Sequence, residues 1–161
     1  MRAYWLASAA IAAFGLIGGW LIFGAGPSVG AADLDPIATT RGQTLYAENC
    51  AACHGANLEG QANWQSPGED GRLPAPPHDA DGHTWHHGDD LLFSYTKLGG
   101  KAALAAKGIP FDSGMPGFGE ALSDREIYDI LTFIKSTWPE RERALQATRT
   151  EAERLQKEAN K

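Results

Sequence analysis

The chain has 161 residues, 43% of them hydrophobic and 21% charged, with a formal net charge of −6. That length holds one domain with a modest core plus extensions. Residues 1–32 contain a single charged side chain, Arg2, so the remainder carries −7; such an acidic surface excludes nucleic acid as a partner, because phosphates require a basic face.

Residues 3–26 form one uncharged run. As a helix it would be about 36 Å long, enough to cross a hydrocarbon core of about 30 Å, whereas a signal-peptide core is usually shorter. Tyr4 and Trp5 near one end, with Trp20 and Phe23 near the other, suit the two membrane interfaces. The run is therefore expected to be a transmembrane helix, with Arg2 on the inner side. Gly30-Ala31-Ala32 offers the alternative, cleavage near Ala32 to leave a soluble periplasmic protein. Either way, residues after 32 are expected on the outer side of the cytoplasmic membrane. The expected division is an anchor or signal over 1–32, a domain over 33–138 and a charged helical tail over 139–161.

Asp33 to Ala38 reads as a linker containing Pro36. Thr40 and Gln43 have capping-box spacing, which predicts a helix over 41–52 with Gly42, Leu45, Tyr46, Asn49 and Cys53 on one broad side. This helix runs into Cys50-Ala51-Ala52-Cys53-His54, which holds the only two cysteines of the chain. CxxCH is the attachment signal of a c-type haem. Two sulfurs a helical turn apart reach the two vinyl groups of one porphyrin, and the adjacent histidine can then ligate its iron. A zinc site built from Cys50, Cys53, His83 and His86 has short histidine spacing and leaves His54 without a role. A thioredoxin-like CxxC would need a βαβ pattern that is absent here.

Residues 55–84 carry five glycines and four prolines without sustained helical or strand periodicity. So long a structureless connection suits a chain wrapped around a large rigid object, and the haem is that object. Leu91, Leu92, Tyr95 and Leu98 predict a second helix over 89–98 that Gly99 stops. Residues 101–119 read as a further loop with a short alanine-rich helical piece. Ser123 and Glu126 form a capping box, followed by Ile127, Ile130, Leu131 and Ile134 on one face up to Trp138 and Pro139. In the tail, Leu145, Thr148, Ala152, Leu155 and Ala159 recur at 3–4 spacing, too weakly apolar for a coiled coil. A solvated helix is expected there, with partner binding as the alternative.

An electron-transfer iron requires a ligand on each face. Met1 begins the apolar run, which leaves Met115 as the internal methionine, held between Gly114 and Pro116. Such a loop presents a side chain rather than a helix face, so Met115 is expected as the distal ligand. The other histidines, His78, His83, His86 and His87, are expected to hydrogen-bond at the surface or at the start of the second helix.

Residues 40–138 resemble the class I cytochromes c, particularly small membrane-anchored or periplasmic bacterial ones. The resemblance implies an all-α fold of three to four helices around one covalent haem c. It places the thioether bonds on Cys50 and Cys53 and the axial iron ligands at His54 and Met115. It also implies a close crossing of the first and last helices of the domain through Gly42 and Tyr46 on one, Ile130 and Phe133 on the other. Members place a proline loop after the motif whose carbonyl accepts from the proximal histidine. Pro76 and Pro77 are the candidates, and His78 stands where an aliphatic residue is usual. The implied function is single-electron transfer without enzymatic activity, with redox proteins, such as respiratory-chain complexes, as partners. The alternatives are a haem-bearing subunit of a larger oxidase or reductase, or a haem sensor with a labile sixth ligand.

Overall fold

The computed structural model describes residues 34–161, and every regular element among them is helical. The membrane-spanning reading of residues 3–26 and the cleavage alternative near Ala32 lie outside that range. Among the described residues no helix is long and apolar enough to cross a membrane.

The first helix, α1, spans Pro36–Asn49, five residues ahead of the expected start at 41. Asp35 caps it by accepting the Ile37 N–H at 2.9 Å, and Pro36 sits in its first turn, where no N–H is needed. The Asp-Pro pair thus outcompetes the Thr40 box. Thr40 lies inside the helix and turns its hydroxyl back onto the Pro36 carbonyl at 2.9 Å. The helix breaks at Cys50, and a separate single turn, α2 (Ala51–His54), carries the rest of the motif.

Residues 55–83 contain no regular element, and a 3-10 turn at Thr84–His86 leads into α3 (Asp89–Leu98). Gly99, at φ 82°, ends α3 and opens α4 (Gly100–Ala105), the alanine-rich piece. Helix α5 (Asp124–Ser136) begins with both reciprocal bonds of the Ser123–Glu126 capping box. Helix α6 (Glu140–Ala159) follows Pro139.

The core lies between α1 and α5. Tyr46 from α1 and Ile127, Ile130, Leu131 and Ile134 from α5 are buried, and Trp138 closes the end. The two backbones touch at Gly42, where an added Cβ would stand 1.9 Å from the Asp129 carbonyl oxygen. The expected crossing through Gly42, Tyr46, Ile130 and Phe133 is therefore present, with the Tyr46 and Phe133 rings 5.4 Å apart. Arg41 reinforces it through a two-pronged ion pair to the buried Asp129 carboxylate, at 2.7 and 3.0 Å.

The tail departs from expectation. Its stripe of Leu145 and Leu155 faces solvent, whereas the polar residues Glu142 and Gln146 are buried. The start of α3 has no cap from its own Gly88, and α6 supplies one. Thr150 Oγ1 accepts the Asp89 N–H at 3.1 Å and Glu153 Oε2 accepts the Asp90 N–H at 3.0 Å. Gln146 Nε2 donates to Asp89 Oδ1 at 2.7 Å, and Lys135 from α5 reaches the same carboxylate at 2.9 and 3.0 Å. Asp89 thus joins three helices at one point.

Candidate functional site

The break between α1 and α2 sets the positions of the motif. Cys50 is buried against the core and Cys53, almost a turn later, is exposed. His54 closes α2 and is only 7% exposed. The chain leaves α2 through Gly55 at φ 82°, a left-handed conformation suited to glycine, and Tyr46 clamps this corner by donating its hydroxyl to the Gly55 carbonyl at 3.0 Å.

His54 Nδ1 lies 2.8 Å from the Pro76 carbonyl oxygen. A carbonyl can only accept, so Nδ1 carries the proton and Nε2 keeps a lone pair. Burial lowers the pKa of this imidazole, and the bond to Pro76 opposes the shift only in part. The ring is therefore held neutral, in the tautomer that offers Nε2 to a metal. Of the two candidate prolines, the structure selects Pro76. The donor set of two cysteines three residues apart, beside a histidine with a committed Nδ1, fits a covalently attached haem.

The path of the long loop explains how Pro76 reaches His54. The Leu58 carbonyl accepts the His78 N–H at 2.7 Å, and the Ala75 carbonyl accepts the Gln61 N–H at 2.9 Å. Gly60 makes the close approach possible, because a Cβ there would stand 2.4 Å from the Pro77 nitrogen. The loop therefore folds back on itself and returns residues 75–78 to the motif.

Met115 stands half-buried on the second loop, tied to the α3–α4 corner. Its carbonyl accepts the Gly100 N–H at 3.1 Å, and its own N–H donates to Ser113 Oγ at 3.2 Å. Tyr95 Oη donates to the same Ser113 oxygen at 2.9 Å. A side chain at Gly99 or Gly117 would strike backbone of the opposing segment, at 2.8 Å and 2.7 Å respectively. The loop is thus fixed in one shape, as its glycines and proline suggest.

Of the remaining histidines, His83 meets the His87 ring edge-on at 5.5 Å. His83 stacks on Trp64 at 5.3 Å and His86 on Trp85 at 3.7 Å. Among the described residues no three His, Cys, Asp or Glu side chains gather as a metal-binding group, which removes the zinc alternative. His78 alone joins the site: its ring lies parallel to that of His54, 4.0 Å away, and burial pushes its pKa well below the ordinary value. Thr84, whose Oγ1 lies 2.8 Å from His78 Nδ1, and Trp138, whose indole donates to the His78 carbonyl, gave no sequence signal of a role here, since their spacing to the motif follows only from the path of an aperiodic loop.

A family model described as "Cytochrome c" matches residues 39–138. The chain is 36% identical over 97 residues to the thiosulfate dehydrogenase of Psychrobacter arcticus, across 60% of this chain and 25% of that protein. It is 30% identical over 104 residues to the gluconate 2-dehydrogenase cytochrome c subunit of Pantoea cypripedii, across 60% of this chain and 20% of that protein. This chain therefore matches a quarter or less of the length of these curated relatives. No solved structure matches it.

Proposed function

From its membership of the cytochrome c family, with one covalently bound haem c as the cofactor, we propose that this chain is a single-electron carrier whose iron is held by His54 and Met115. When bound, the haem would supply one-electron ferric/ferrous chemistry. The protein's residues set the conditions for it. Cys50 and Cys53 form the thioether bonds, and His54 gives its Nε2 lone pair. The Pro76 carbonyl, by accepting from Nδ1, orients the imidazole and strengthens it as a donor. The thioether of Met115 favours the ferrous state and raises the reduction potential relative to a second histidine.

The observation that carries this reading is the hydrogen bond between His54 Nδ1 and Pro76, which leaves one ring nitrogen free beside the two cysteines. With His54 and Met115 both on the iron, no position would remain for a substrate, and the chain would exchange electrons rather than act on one. A carbon monoxide titration of the reduced full-length protein tests this. Met115 ligation predicts little binding, and ready binding would establish the sensor alternative with its labile sixth position.

We further propose that residues 3–26 tether the haem domain to the outer face of the cytoplasmic membrane, near a dehydrogenase or respiratory complex with which it trades electrons. Support comes from the length of the apolar run and from the names of the two relatives. One relative is named as a cytochrome c subunit, which favours a second reading, a permanent subunit of such an enzyme. Isolation of the native protein from membranes separates the two: a shuttle is recovered alone, and a subunit is recovered with its dehydrogenase.

A further inference from the structure

His78 is held through both its main chain and its side chain, and its ring packs against that of His54. Its N–H donates to the Leu58 carbonyl at 2.7 Å, and its carbonyl accepts the Trp138 indole N–H at 2.7 Å. Its Nδ1 is hydrogen-bonded to Thr84 Oγ1 at 2.8 Å. Thr84 is only 6% exposed and Trp138 only 2%, so both anchors sit in packed surroundings. Main chain and side chain are thus fixed independently, and two aromatic rings flank the imidazole. Its face lies on the His54 ring with centroids 4.0 Å apart and planes 23° from parallel. The Tyr46 ring meets it nearly edge-on at 6.3 Å.

We propose that His78 is a positioning residue of the iron site: a flat wall, braced by Thr84, that sets the plane of the His54 imidazole. The inference rests on the axial role assigned to His54 above. The bond to Pro76 constrains one edge of the His54 ring, at Nδ1. An edge contact leaves the ring free to rock about the line between that nitrogen and its acceptor. A parallel ring against its face removes that freedom, because rocking would close a stacking gap already near contact distance. An aliphatic side chain, the usual occupant of this position, fills space there but presents no flat surface. Groups that touch a ligand orient it, and the plane of an axial imidazole governs which iron d orbital holds the unpaired electron in the ferric state. The chain therefore has a means to fix that plane that does not act through any bond to the metal.

The test uses the full-length, haem-loaded protein with the substitutions His78→Leu, Thr84→Val and Thr84→Ser. Thr84→Val keeps the shape of the brace and removes its hydrogen bonds to His78 Nδ1 and, at 3.4 Å, to the Pro77 carbonyl, so it loosens the wall without touching the ring stack itself. The readouts are the ferric haem-methyl proton shifts, which follow the plane of the axial ligands, and the reduction potential. His78→Leu is expected to change the methyl-shift pattern and displace the potential, while the sulfur-to-iron charge-transfer absorption is retained. Thr84→Val should move the pattern in the same direction by a smaller amount, and Thr84→Ser should restore it. An unchanged pattern and potential in His78→Leu would show that His78 merely fills space. If that variant does not fold, an unchanged pattern in Thr84→Val is enough to overturn the inference. A wild-type protein without covalent haem would instead sink the proposed function, an outcome read from the haem spectrum before any variant is compared.

Discussion

Gly42 is required by the distance between two backbones. A methyl group at this position would stand 1.9 Å from the Asp129 carbonyl oxygen and 2.5 Å from its carbon, neither of which can swing away as a flexible side chain could. Gly42→Ala therefore forces α1 and α5 apart along their whole contact. Overpacking of this kind costs about 1–3 kcal/mol, which thermal unfolding of the haem-loaded protein should record as a fall of several degrees in Tm. A variant as stable as the wild type would mean that the crossing is looser than described. Glu126 makes a second point at the same scale. Hydrogen bonds from Ser123, the hydroxyl first and then the backbone N–H, hold its carboxyl below the ordinary value of 4.5. A lowered folded-state pKa contributes stability above the unfolded value and loses it as pH falls through the lowered one. Glu126→Gln should therefore flatten the pH dependence of stability below about 4.5, measured by urea unfolding across that range. A wild-type slope in the variant would contradict the assignment.

At the scale of elements, what could be read from the sequence depended on the kind of contact each helix makes. Helix α5 announces itself through Ser123, Glu126 and an apolar stripe, and α3 through its leucines and Gly99, because both bury apolar side chains at helical spacing. The start of α1 was misplaced because Pro36 reads as a linker residue until Asp35 is seen to cap it. The docking of helix α6, unlike its helical character, was hidden for a more general reason. It docks through Gln146, Thr150 and Glu153, all polar, and hydrophobic periodicity cannot report a polar interface. Its role as the cap of α3 is testable. Glu153→Ala removes the acceptor of the Asp90 N–H and should cost about 1 kcal/mol, the usual penalty for a lost helix cap. Deletion of residues 140–161 should lower Tm by more, since it strips both acceptors and exposes the Asp89 junction. A deletion that left Tm unchanged would restore the picture of a solvated tail.

At the scale of the whole molecule, two loops and two helices divide the work. The α1–α5 crossing gives the domain its stability, and Asp89 and α6 fasten the far side. The loops place the candidate residues: residues 55–83 bring Pro76 and His78 to His54, and residues 106–119 hold Met115, the proposed second ligand, at the α3–α4 corner. The motif at 50–54 was legible because its spacing is dictated by the cofactor rather than by the fold. Pro76 was legible only as one of two, and the contact of His78 with His54 was not, because both depend on the return path of an aperiodic loop. The acidic balance of the chain, −6 overall, suits a partner with a basic docking face. Raising the ionic strength should then slow electron exchange with that partner, and a salt-independent rate would remove charge from the encounter.

The central claim is that Met115 completes an iron site begun by His54, and the absorption spectrum of the ferric protein tests it most directly. The full-length, haem-loaded protein should show a sulfur-to-iron charge-transfer band, and Met115→Ala should abolish that band while the covalent haem is retained. A band that survives the substitution would contradict the account, because the sulfur on the iron would then not be that of Met115.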